Sequence, residues 1–441
     1  MIDRLGRLGQ RFTVLLSGEA IQSAFNFGLN VALARVLTPA CYGAFAIVVL
    51  IAGFAIIYMR ALINVPAIAV APHGGSLNRN RSSAVTFGSG AVGVAMVSTV
   101  VAAAILAVWE PRSALAGGLF VGCWALRSYV RMALSTQGSM GKAAGSDLGF
   151  AISAAVLCVP LVYFDPKHLL QYVFLALAAA HLIGSLIAVT QQGGRIRISF
   201  RRSVRRRLAR LLPTMTWSII SVTASNIQGQ GGIFLLAVLA GPAAYAPIAI
   251  TMSFFTPLRL ATSSVMYMML PDLAENVARP GSRGFADLFI APMCLILLIC
   301  GLYGVVMVLG FPTLARDAFA GRFSGEPLDL IAVLNWCIST TAVLYAVPKL
   351  QLETARKFKL TTGLAIVSGA VGLPLVALLL SVTTPAWSLC GILVSELMIL
   401  TGCLVFSYRD TRPRPVSARL VASEGPQLDT LSLDQALSRR R

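Results

Sequence analysis

Charge is scarce in this chain. Of its 441 residues 12% are charged and 57% are apolar. A soluble domain carries roughly 25% charged residues, so a soluble globular protein is excluded and the chain reads as an integral membrane protein. Acidic groups are scarcest, 17 against 36 basic, for a formal charge of +19. Short catalytic motifs are missing too. There is no GxSxG, no Walker A loop and no HExxH, which speaks against a hydrolase and against an ATP-driven pump. Energy would then come from a gradient or from consumption of the substrate outside. The eight cysteines form no CxxC or Cys/His metal spacing, and no cofactor or metal is expected. Seven of them (Cys123, Cys158, Cys294, Cys300, Cys337, Cys390, Cys403) fall in apolar runs, where a free thiol packs as a small apolar residue. Cys41 falls in a predicted external turn.

What is present is a series of apolar segments. A helix needs about 20 apolar residues to cross the hydrocarbon core, and about twelve segments meet that rule. They lie near 12–34, 43–70, 84–108, 114–134, 145–164 and 169–190, then 213–239, 244–270, 285–309, 328–348, 361–381 and 386–406. The first resembles a signal peptide, with Arg4, Arg7 and Arg11 ahead of it and Ala32-Leu33-Ala34 as a cleavage-like site. Its apolar run is too long for a signal, so it is read as an uncleaved span. Arginine and lysine gather at one set of ends: Arg79 and Arg81, Arg127 and Arg131, Arg195 to Arg210, Lys349 to Lys359. By the positive-inside rule both termini are cytoplasmic. The basic excess thus acts as a topology signal and as a contact for membrane lipids, and nucleic acid is not expected as a partner.

The chain repeats itself. Leu33 to Leu50, LARVLTPACYGAFAIVVL, returns as Leu236 to Ser253, LAVLAGPAAYAPIAITMS. Leu33 matches Leu236, Pro39 matches Pro242, Tyr42 matches Tyr245, and Ala46-Ile47 matches Ala249-Ile250. A weaker echo lays Ala133 to Gly145 over Gln351 to Gly363. Both copies share topology, as in parallel six-span halves related by an axis along the membrane normal. The expected fold is all-α and polytopic, with two six-helix repeats around a central cavity. The expected domains are a lobe over 1–192, a basic cytoplasmic linker over 193–212, a lobe over 213–407, and a disordered cytoplasmic tail over 408–441. The linker, RIRISFRRSVRRRLAR, is either a plain topology anchor or a basic amphipathic surface helix.

These residues resemble the polysaccharide flippases, the Wzx-like or polysaccharide-transporter branch of the MATE/MOP exporter superfamily. The resemblance rests on LARVLTPACYGAFAI, on MYMMLPDLAEN (Met266 to Asn276) and on LQLETARKFK after the tenth span. It covers nearly all of the chain except the tail. The second turn departs from the first, with Ala246-Pro247 in place of Gly43-Ala44. The resemblance implies a lipid-linked oligosaccharide on a polyprenyl diphosphate carrier, moved across a bacterial inner membrane by alternating access. It also implies contact with a polysaccharide polymerase or chain-length protein.

Intramembrane polar groups face a cavity or a partner helix. Glu19, Gln22, Asn26 and Asn30 lie along one face of the first span, and Ser218, Ser221, Ser225 and Gln228 along the seventh, joined by Asn226 and Gln230. They are read as a sugar-binding stripe in each half, the alternative being interhelical hydrogen bonding. Arg60 and Arg259 lie in the matching second and eighth spans. A guanidinium forks onto phosphate oxygens, so both are candidates for a diphosphate or an acidic sugar. Arg127 and Arg131, at the cytoplasmic end of the fourth span, are read as snorkelling, the alternative being that they receive the substrate headgroup on entry. Glu19, His181 and Glu396 are candidates for ion or proton coupling, or for pairing. Pro66, Pro257, Pro271 and Pro374 are expected to kink their spans. A MATE-like cation-coupled drug exporter is the alternative, and it would favour acidic cavity groups. A membrane glycosyltransferase needs larger external loops than Gly310 to Pro327, the longest expected here.

Overall fold

The computed structural model describes residues 21–64, 66–67, 77–136, 139–164, 167–191, 198–258, 269, 273, 289–319, 321–323, 325–355 and 357–411. Every regular element among them is helical. In chain order they are α1 (21–36), α2 (Pro39–Met59), α3 (Leu77–Leu106), α4 (Ala114–Thr136), α5 (Met140–Phe164) and α6 (Leu169–Gln191). Then come α7 (Arg202–Leu239), α8 (Gly241–Phe254), α9 (Ala291–Phe319), α10 (Leu328–Thr354), α11 (Phe358–Val382) and α12 (Pro385–Thr411). Among the described residues nine helices are long and apolar enough to cross a membrane. α4 is outside that set because Arg127 and Arg131 lie within it. The chain is a polytopic all-α membrane protein.

Local chemistry sets the helix boundaries. The Thr38 side chain accepts from the Cys41 N–H at 3.3 Å, and Pro39 starts α2 with its φ already helical. Cys41, expected in a turn, is therefore inside α2. At the repeat copy, Gly241 at φ +84° turns the chain ahead of Pro242. α2 ends in a π-helical turn, Arg60–Asn64, just ahead of Pro66. Pro66 has no N–H for the Leu62 carbonyl and its ring crowds that carbonyl, so the backbone widens there. The second echo of the sequence also has a physical form. α4 ends at Thr136 and α5 begins at Met140, just as α10 ends at Thr354 and α11 begins at Phe358.

The helix packing repeats. α3 packs on α4 as α9 does on α10; α4 packs on α6 as α10 does on α12; α5 packs on α6 as α11 does on α12; and α2 packs on α4 as α8 does on α10. α7 packs on α11, and α1 meets α5 through the edge-to-face rings of Phe25 and Phe150. Across the two sets, α2 packs on α8. One expectation changes. α9 continues to Phe319 and α10 begins at Leu328, so the external connection is shorter than the one expected from Gly310 to Pro327. In the basic linker, residues 202–212 are helical and continuous with α7.

Candidate functional site

The two halves meet at the repeated turns. Gly43 of α2 lies against the carbonyl of Pro242, where a β-carbon would overlap it. Phe27 of α1 meets Phe254 of α8 edge to face at 5.0 Å, and Arg322 donates to the Val36 carbonyl at 3.4 Å. Further along α2, Tyr58 shares a hydrogen bond with Thr223 of α7 at 2.8 Å. These contacts join residues far apart in sequence. They place α1 and α7, the helices that carry the polar stripes, along the seam between the halves together with α2 and α8.

The α1 stripe is tied into its own half. Asn30 Oδ1 accepts from the Tyr42 hydroxyl at 3.1 Å, and Asn30 Nδ2 donates to the Asn26 carbonyl at 2.8 Å. Gln22 Oε1 accepts from Arg127 at 3.4 Å. All three stripe residues keep partial exposure. On α7, Ser225 is half-buried while Asn226 and Gln228 are buried. The backbone of Gln228 runs beside Gly369 of α11. The amide nitrogens of Asn226 and Gln228 have no hydrogen-bond partner among the described residues. Gln228 therefore lies in the packed interior of its half.

Arg60 opens the π turn and is exposed, with no ion pair to another described residue. It follows Tyr58, the α2 residue that reaches α7, by two positions. Arg259 and Glu19 lie outside the described residues. His181 and Glu396 are each buried mid-helix, on α6 and α12. His181 sits among the rings of Phe120, Trp124 and Phe150, at 5.6, 5.2 and 4.3 Å, and beside Arg127. These neighbours all belong to the first six helices.

A cluster that the sequence reading missed is centred on Asp147 of α5. Arg127 NH2 donates to one carboxylate oxygen at 2.6 Å and Arg131 Nε to the other at 2.9 Å. Asp147 is fully buried and Arg127 is 2% exposed. Arg127 also stacks over Phe150, 4.2 Å from the ring centre. Snorkelling is thus overturned for Arg127; only Arg131 keeps part of its side chain accessible, 27%. Burying a charge is expensive unless it is paired, and here two cations share the Asp147 carboxylate. The sequence signal was available: Arg127 and Arg131 share a helical face at i, i+4, and Asp147 is the only acid among the described residues of the first six helices. Pairing them needed the α4–α5 packing.

A surface recess among the described residues lies elsewhere. It is an apolar groove of about 460 Å³ between the start of α9 (Met293, Cys294) and the end of α12 (Leu404, Val405, Tyr408). It does not involve the polar stripes.

Comparison with solved structures decides the fold. An inward-facing multidrug resistance MATE family transporter of the MOP superfamily aligns over 94% of this chain and 99% of its own, with a TM-score of 0.60 at 11% identity. The lipid II flippase MurJ, in an inward closed conformation, aligns over 92% and 89%, with a TM-score of 0.68 at 10% identity. This chain has the MATE/MurJ transporter fold. A Vibrio cholerae MATE transporter, VcmN, covers 95% of this chain and 97% of its own, with a TM-score of 0.56 at 12% identity. No family model matches the sequence, and a comparison with curated proteins finds no match.

Proposed function

We propose that this chain turns a lipid-linked oligosaccharide, held on a polyprenyl diphosphate carrier, from the inner to the outer leaflet of a bacterial inner membrane for polysaccharide biosynthesis. The lobes 1–192 and 213–407 rock against each other, with both termini and the tail in the cytoplasm. A polysaccharide polymerase or chain-length protein receives the product outside. The observation that carries this reading is the sign of the charge inside the first six helices. Among the described residues of these helices and the π turn after α2, Arg35, Arg60, Arg79, Arg81, Arg127, Arg131 and Lys142 stand against one acid, Asp147, which is already shared by two of them. An environment with excess positive charge suits an anionic diphosphate and repels a cationic drug.

In this reading Arg60 and Arg259 hold the diphosphate. Gln22, Asn26, Asn30, Ser225, Asn226 and Gln228 serve the sugar hydroxyls, with Asn226 and Gln228 becoming available only when α7 shifts against α11. Glu19, His181 and Glu396 are the coupling or pairing groups. The alternative is a cation-coupled multidrug exporter, and the likeness to MATE transporters keeps it open.

Complementation separates the two. In a strain lacking its own flippase, the wild-type chain restores surface glycan, while Arg60→Ala and Arg259→Ala, at matched expression, do not. If both variants work fully, the arginine anion site is wrong. If the wild type restores no glycan but lowers susceptibility to cationic drugs, the exporter reading replaces this one.

A further inference from the structure

The segment 198–210 has a design that a topology signal alone does not need. Residues 198–201 lie outside any regular element and feed directly into α7. The backbone of Ser199 is tied to α3: its N–H donates to Ser89 Oγ at 2.9 Å, and the Ser89 hydroxyl donates back to the Ser199 carbonyl at 2.9 Å. Ile198 and Phe200 turn outward and are 51% and 58% exposed.

The helix that follows is two-faced. Val204 is buried, and Leu208, one turn on, packs over Gly90 of α3 beside Ile63. A β-carbon at Gly90 would press on the side-chain tips of both Ile63 and Leu208. Arg202, Arg205, Arg206, Arg207 and Arg210 occupy the other faces, all exposed. No acidic residue occurs between Asp165 and Asp272, so nothing local in sequence offsets this charge.

We propose that residues 198–210 form a docking surface for the anionic lipid headgroups of the membrane in which the protein sits. Arginines bind the phosphates, and Ile198 and Phe200 enter the boundary between headgroups and acyl chains, as in interfacial basic amphipathic helices. The pairing of two outward apolar side chains with an arginine fan commits the site to a membrane surface; a soluble anion has no use for the apolar pair. The dock also bridges the halves. Its inner face rests on α3, while its continuation is the membrane-crossing part of α7 from Ser218 to Leu239. Lipid bound there holds α7 against α3. The inference does not depend on the flippase reading.

The test uses the purified full chain, delipidated and reconstituted into nanodiscs of phosphatidylcholine with and without phosphatidylglycerol. The readouts are thermal stability and phosphatidylglycerol retained per protein. Wild type is expected to enrich phosphatidylglycerol and to melt higher in its presence, with both effects suppressed by high salt. Replacing Arg202, Arg205, Arg206 and Arg210 together by Gln should weaken retention by about fivefold per arginine. The matching set of Arg→Lys changes should keep most of it, and Phe200→Ser should weaken it at unchanged charge. A wild type without preference for phosphatidylglycerol overturns the proposal, as does a Gln variant with full retention. Inorganic phosphate stabilising the detergent-solubilised protein as well as phosphatidylglycerol does would also overturn it. If the Gln variant fails to fold, the wild-type salt response and Phe200→Ser decide the matter.

Discussion

Gly43 and Pro242, one from each copy of the repeated turn, are in backbone contact, and the contact exists because Gly43 has no side chain. The copies differ at this position: Gly43 in the first is Ala246 in the second. One glycine is enough to let α2 and α8 cross this closely. Gly43→Ala should therefore push the two halves apart. Overpacking of this kind costs about 1–3 kcal/mol. Gly53→Ala, in the same helix with open space around it, is expected to be neutral or to gain up to about 1 kcal/mol from helix propensity. Thermal unfolding of the two variants side by side checks this; equal melting temperatures would refute the close contact.

Asp147→Asn should be among the most damaging single changes in the first six helices. It leaves Arg127 buried without its counter-charge, and breaking a buried pair in this way costs about 3–5 kcal/mol. Arg127→Met combined with Asp147→Asn should recover part of that loss. Arg131→Gln should be milder than either single change at Arg127 or Asp147, since Arg131 keeps 27% of its side chain accessible. A double-mutant cycle on Arg127 and Asp147 measures the coupling, and additive losses would sink the ion-pair account.

His181→Phe distinguishes a packing role from a proton relay. The imidazole is enclosed by Phe120, Trp124 and Phe150, and its approach to Arg127 is long at 3.5 Å. A phenyl ring fills the same slot. The variant is expected to fold and to retain most transport, losing about 1 kcal/mol with the weak hydrogen bond. Loss of transport at normal stability would favour the relay over the packing role.

Arg60→Ala is expected to split the two readouts the other way. Arg60 is exposed and makes no ion pair with another described residue, so its removal should shift the melting temperature by no more than about 2 °C. Glycan transport should fall at least tenfold. Arg60→Lys should recover only part of it, because an ammonium does not fork onto phosphate oxygens. A parallel loss of stability would make Arg60 a structural residue.

Much of the helical framework was legible before any coordinates. The expected segment 169–190 is α6 to within a residue, and 114–134 and 328–348 find the starts of α4 and α10. The misplaced ends share a cause. Hydropathy marks the stretch that lies in hydrocarbon, whereas backbone hydrogen bonding carries a helix into water. So α7 begins at Arg202 where 213 was expected, and α9 runs to Phe319 where 309 was expected. The candidate site was legible only as a set of polar positions. The face of α1 was evident from its spacing, yet the commitment of Gln22 to Arg127 and of Asn30 to Tyr42 was not.

The sequence by itself determined the membrane class, the helical framework and the duplicated turn, because apolar run length and repeated motifs are local properties of the chain. Only the tertiary structure decided the pairings. It placed Arg127 and Arg131 on Asp147, and the linker against Ser89 and Gly90. A buried charge takes whichever partner helix packing brings within about 3 Å, and the sequence, read one helix at a time, holds no record of that packing.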